Sequence, residues 1–215
     1  MTMKKKVEDY KIEMDGEWSL EDLYDFPHTY IHVYSFLYSF LRPIENFDDE
    51  DDRLVITYSI HPWRGGYSSV NFFNNLKHIV APKHRPQIKS IKYASPGWLE
   101  LTAIVGVALS IKKIVSCFTE SANALNQLYN NIYKGMHDRK MMGIEAKRQT
   151  LLLSKEQTDF AIESANKLSN LLGFENVEQI QKLTKNPLAT LKILLSFYRK
   201  IKVLAEFTAK GKAKF

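Results

Sequence analysis

Gln87 to Phe118, QIKSIKYASPGWLELTAIVGVALSIKKIVSCF, is the stretch on which the fold turns. Its beginning, Gln87 to Ala94, sets Lys89, Ile91 and Tyr93 on one face and Ile88, Ser90 and Lys92 on the other, which predicts a strand at the edge of a sheet. Ser95-Pro96-Gly97 closes that strand and opens a helix. From Leu101 the apolar positions are Ile104, Ala108, Ile111, Val115, Phe118, Ala122, Leu125, Tyr129, Ile132 and Met136, spaced alternately four and three. Sustained over about five heptads, that spacing is a coiled-coil seam, so a continuous helix is expected from residue 98 to residue 136. Its first half is apolar all round and belongs inside a domain, whereas its second half, ESANALNQLYNNIY, carries a narrow stripe on a polar background. That half needs a neighbour: the chain's own helices at Leu151 to Leu172 and Pro187 to Phe207, or the same helix in another copy. Phe118, Leu125, Tyr129, Ile132 and Met136 are therefore candidate partner-binding residues.

Upstream, Tyr10, Ile12 and Met14 alternate with Lys11 and Glu13 ahead of Asp15-Gly16, a strand and a turn. Ser19 with Asp22 three residues on makes a near capping box, and a short helix to about Phe26 is expected. Pro27 can open a second segment, PHTYIHVYSFLYSFL, without formal charge to Leu41 and so central in the fold. Glu45 to Asp52 holds six acids in eight residues, which predicts a solvated loop. Leu54 to Ile60, LVITYSI, is β-branched and aromatic and predicts a buried strand; Tyr67 to Val80 has helical spacing. The pattern amounts to an α+β fold in which a small sheet of about three strands alternates with helices, followed by a predominantly helical C-terminal half. The expected division is an α+β domain over residues 1–111 and a helical extension over 112–215, with no linker composition to mark the border.

With 215 residues, 45% hydrophobic and 12% aromatic, the chain can bury a core, which excludes disorder, collagen and a disulfide scaffold. Lone Cys117 lies in an apolar run, where a thiol behaves as a small hydrophobe, and a reducing compartment is expected. MTMKKKVEDY lacks the hydrophobic middle of a signal peptide, so a cytoplasmic protein is expected, with a membrane-peripheral one as the alternative. Lys112 and Lys113 interrupt the one stretch that approaches a membrane span. Charge is uneven. Lys182 to Phe215 carries nine cations against Glu206, a net +8, while the whole chain is +6, so the first 181 residues carry −2.

Ile88 to Leu101, IKSIKYASPGWLEL, resembles small uncharacterised bacterial proteins in which a strand ending in Tyr-x-Ser-Pro leads into a long apolar helix and a coiled coil. The resemblance implies a bacterial cytosolic or membrane-peripheral protein of a multiprotein system, of the kind directed at phage or other mobile elements. It implies no activity.

Three constellations could carry chemistry. Asp25, His28 and His32 share a helical face at a spacing that suits a divalent metal, with His61 as a further ligand; the alternative is histidines bonded to backbone or solvent. His61 to Ser69 runs from a strand through two glycines into a helix start, so Arg64, Gly65, Gly66, Ser68 and Ser69 could cradle a phosphate; the alternative is an ordinary turn with a serine cap. Basic residues gather at Lys77, His78, Lys83, His84, Arg85, Lys89 and Lys92, and again at Arg199, Lys200, Lys202, Lys210, Lys212 and Lys214, where nucleic acid or an anionic membrane surface could bind. Nothing supports a catalytic triad, and no cofactor is expected. The pattern is that of a non-enzymatic interaction protein, a homo-oligomer or the partner of another protein. A nucleic-acid-associated protein and a phosphate or nucleotide sensor or enzyme are the alternatives.

Overall fold

The computed structural model describes residues 6–41, 49–63, 66–144 and 153–215. Strand β1 (Val7–Met14) pairs antiparallel with Gly97–Ile104, which is strand β3 and not the start of a helix. WLELTA has a two-residue period: Leu99, Leu101 and Ala103 are buried, while Trp98, Glu100 and Thr102 face outward and are half-buried. Strand β2 (Gln87–Lys92) pairs with β3 as the expected edge strand, with a bulge between Ile88 and Ser90. Gly97 ends the connection between them. A Cβ there would run into the backbone of Lys92 and Ala94, so only glycine allows the chain to double back.

Helix therefore begins at Val105. The expected helix over 98–136 is a strand followed by α4 (Val105–Glu120) and α5 (Ala122–Asp138), separated at Ser121, whose φ of −114° and ψ of 19° leave the helical region. The apolar stripe is real, but its partners are in the same chain. Ile111, Val115, Phe118, Leu125, Ile132 and Met136 are buried in a core shared with α6 (Lys155–Leu172) and α8 (Pro187–Ala209), Ala108 is buried too, and Ala122 and Tyr129 are half-buried against that core. Tyr129 stacks on Tyr198 at 4.4 Å between ring centroids, and the Tyr198 hydroxyl donates to Asn126 Oδ1 at 2.7 Å.

Two earlier stretches also differ from expectation. Leu54 to Ile60 is helical, within α2 (Asp49–Ile60): Leu54 and Tyr58, one turn apart, are buried, whereas Ile56 and Ile60 are exposed. Part of the expected acidic loop, from Asp49 onward, thus belongs to a helix. Glu45 to Asp48 lie outside the described residues. Helix α1 (Leu20–Tyr38) runs unbroken through Pro27, behind the capping box of Ser19 and Asp22. Losing one backbone bond at Pro27 is offset by the burial of Tyr30, Val33, Tyr34, Phe36 and Leu37 beyond it.

Helix α3 (Gly66–Ile79), a single 3-10 turn (Pro82–His84) and α7 (Val177–Thr184) complete the helical layer. The chain ends in β4 (Ala213–Lys214), which pairs with the far edge of β1, so four antiparallel strands lie in the order β2-β3-β1-β4 where about three were expected. Helix α8 forms the centre. It packs on α1, α4, α6 and α7, and Phe36 of α1 stacks on its Phe197 at 4.3 Å. The Tyr34 hydroxyl ties the layers together by donating to the His84 carbonyl at 2.7 Å and accepting the Ile104 N–H at 3.0 Å. Among the described residues, no helix is long and apolar enough to cross a membrane.

Candidate anion-binding site

Tyr24, His28 and His32 recur every four residues, so α1 stacks them along one face, from exposed Tyr24 to fully buried His32. The Tyr24 and His28 rings stack at 5.3 Å, and the His28 ring meets that of His32 edge-on at 4.3 Å. Helix α3 supplies the opposite wall. His32 Nε2 lies 3.1 Å from Asn74 Oδ1, which makes the imidazole the donor, and the Phe73 ring lies 5.7 Å from His32. From α8, the half-buried Lys200 ammonium reaches over Phe73, 5.9 Å from its centroid. Lys77, also half-buried, follows Asn74 by three residues on the same helix face.

The charges around this cluster are unbalanced. Burial, then the charge of Lys200, drives His32 down to about 4, against which the Asn74 bond is a smaller opposing effect. His28 is lowered by burial, then Lys200 and Lys77, with Asp25 opposing. Lys200 is itself lowered, by burial and then by Arg199, again with Asp25 opposing. Both histidines are thus neutral near pH 7, while Lys200 has no hydrogen bond or ion pair among the described residues. His32 Nδ1, completely buried, has no partner either. With Nε2 donating, Nδ1 is a buried acceptor, while Lys200 is a half-buried cation whose charge Asp25 favours.

The metal arrangement expected from Asp25, His28 and His32 does not form a ligand cluster. Among the described residues, no three His, Cys, Asp or Glu side chains lie together as a metal would need. His61, the further ligand considered, is occupied elsewhere: its Nε2 is 2.7 Å from the Ser68 carbonyl, and its ring packs on Trp63 and Phe72. Of the candidate phosphate loop, Arg64 and Gly65 lie outside the described residues, Gly66 opens α3, Ser68 is buried and Ser69 half-buried.

The basic surfaces are largely committed to the fold. Arg85 caps the end of α3, donating through Nε to the Val80 carbonyl at 2.9 Å and through Nη2 to that of His78 at 3.3 Å. Lys89 pairs with Asp9 and with Glu100, and Lys11 and Lys92 lie over the Trp98 ring. In the tail, Lys212 meets Asp22 at 2.7 Å and holds that carboxyl down at about 2, and Lys214 meets Glu13 at 3.3 Å. Arg199 donates to Tyr133 Oη and Ser196 Oγ; Lys202 is half-buried and Lys210 exposed. Of the candidate partner-binding residues, Phe118, Leu125, Ile132 and Met136 are in the core and Tyr129 is half-buried against it.

Asn74 escaped the reading of the sequence, as did the meeting of Lys200 with the two histidines, because 168 positions separate His32 from Lys200. One signal was present. Lys200 follows buried Phe197 by three residues and precedes buried Leu204 by four, so its side chain leaves the core-facing side of α8. No protein-family model, curated protein or solved structure matches the chain.

Proposed function

We propose that this chain is a binding protein for a phosphate-bearing ligand, held beside Lys200 where α8 packs on α1 and reaches over Phe73 of α3. The observation that carries the reading is the half-buried Lys200 ammonium, which makes no hydrogen bond or ion pair among the described residues although the charge of exposed Asp25 favours it, beside two neutral histidines. In a low-dielectric recess an unmatched cation is costly, and a phosphoryl group would meet it with charge-assisted hydrogen bonds. Lys200 supplies the charge, Lys77 reinforces it, and half-buried His28 becomes an additional donor when it takes up a proton. The expected interaction surface along α4 and α5 loses its main support, since its apolar stripe is consumed within the chain.

The test is isothermal titration of inorganic phosphate into wild type and Lys200→Met, each checked for melting temperature. Methionine keeps the stem and removes the charge. Wild type is expected to bind saturably, and the variant to lose at least tenfold in affinity while melting at the same temperature or higher, because a buried unpaired charge has gone. Equal affinity in the two proteins contradicts the reading.

A further inference from the structure

Strand β2 ends the sheet, so among the described residues one edge of its backbone has no partner strand. Its two faces differ. The bulge between Ile88 and Ser90 adds a residue at Lys89, and the register sets Ile88 beside Leu101 and Ile91 beside Leu99. Both isoleucines therefore lie on the face where Leu99 and Leu101 are buried. Over β2 that cover is missing: the strand packs chiefly on β3, and Ile88 and Ile91 are 59% and 52% exposed. On the outer face stand Lys89, which pairs with Asp9 and Glu100, then Ser90, and Lys92 over the Trp98 ring.

The charge leading up to this edge has one sign. Between Asp52 and Glu100 the sequence has no acid, while Lys77, Lys83, Arg85, Lys89 and Lys92 lead up to β2 and run through it. Among the described residues no carboxylate meets Lys83, Arg85 or Lys92; Arg85 donates only to backbone carbonyls. Lysines on a bulged edge keep like edges apart, because pairing β2 with β2 of a second copy would bring cations against cations. The same charges favour a strand that carries acids.

We infer that β2 is a docking edge for an extended acidic segment of another protein, which adds to the four-stranded sheet as a further strand. Backbone hydrogen bonds to the free edge hold it. Side chains alternate across a strand, so one set of its residues falls beside Ile88 and Ile91 and the other beside Lys89 and Lys92. The segment accordingly alternates apolar residues with Asp or Glu. Neither the surface nor its occupant depends on Lys200.

The test is an array of octapeptides, Asp or Glu at every second position and Val, Ile, Leu, Phe or Tyr between, probed with the full chain. The best binder is then labelled and titrated by fluorescence anisotropy. It is expected to bind saturably and to lose at least tenfold in affinity for the double variant Ile88→Thr, Ile91→Thr, which keeps β-branched residues in the strand and removes apolar surface. Both positions are exposed, so that variant should melt as wild type does. Two versions of the peptide, N-methylated at alternate residues in the two possible phases, should behave oppositely towards wild type: methyls facing solvent leave binding intact, and methyls facing β2 abolish it. An array without a binder, two methylation phases that behave alike, or an affinity unchanged by the double variant overturns the inference. Equal binding by oligoglutamate also overturns it, because charge attraction alone then explains the contact. A dimer in light scattering that the double variant dissolves gives the edge to a second copy and overturns it too.

Discussion

Single residues carry two kinds of work in this molecule, and Tyr34 and Lys200 represent them. Tyr34, fully buried, satisfies the His84 carbonyl and the Ile104 N–H with one hydroxyl. Burial pushes that hydroxyl up to about 12, so it remains protonated and able to donate at neutral pH. Tyr34→Phe removes the shared partner and strands two backbone groups, so a loss of about 1–3 kcal/mol is expected in urea unfolding. A change within a few tenths of a kcal/mol would mean that water replaces the hydroxyl. Lys200 does the opposite: burial and neighbouring Arg199 oppose its charge, and only Asp25 favours it among the causes of its shift. The sequence shows Tyr34 as one more apolar position in an uncharged helix and Lys200 as one more cation in a basic tail. Neither role is visible without the partners, which lie 50 and 70 positions from Tyr34.

At the scale of elements, local chemistry was legible where it was self-contained. The Ser19 and Asp22 capping box, β1, α3 and the edge position of β2 can be read directly, because each depends on residues within one turn or on a strict two-residue period. Errors arose where one pattern ran into the next. WLELTAI alternates as a strand, but it continues without a break into a helical apolar run, and the longer pattern absorbed the shorter. LVITYSI has strand-like composition, yet Leu54 and Tyr58 face the core at helical spacing, so burial against neighbours overrode β propensity. The stripe of α4 and α5 was read correctly as a buried surface, but a stripe does not say whose helix covers it. Since Leu125 is completely buried against the chain's own core, Leu125→Glu should abolish cooperative unfolding rather than give a folded monomer. Gel filtration with circular dichroism checks this, and a folded variant of altered oligomeric state would restore the stripe as an interface.

Across the whole molecule, the two ends of the chain meet. β4 pairs with β1, the Phe215 ring stacks over Tyr30 at 6.3 Å, and Lys212 reaches Asp22 across 190 positions. The basic C-terminal region therefore closes the sheet and forms the central helix, while one of its cations, Lys200, reaches over Phe73 of α3. The charge asymmetry was fully legible in the sequence, but its destination was not, because that depends on how α8 lies against α1 and α3. Buried His32 makes stability respond to pH. With His32 held at about 4 in the folded chain and near 6.5 when unfolded, the unfolded state binds more protons between those values, so stability falls as pH drops through that window. A bound anion favours the protonated rings and opposes the fall.

The most direct measurement is an NMR titration of the His28 and His32 imidazoles from pH 8 to pH 4, with and without phosphate. Without phosphate, both should titrate below the usual histidine range, His32 near the bottom of the window; with phosphate, both midpoints should move up, and Lys200→Met should abolish that movement. Midpoints unchanged by phosphate would contradict the site.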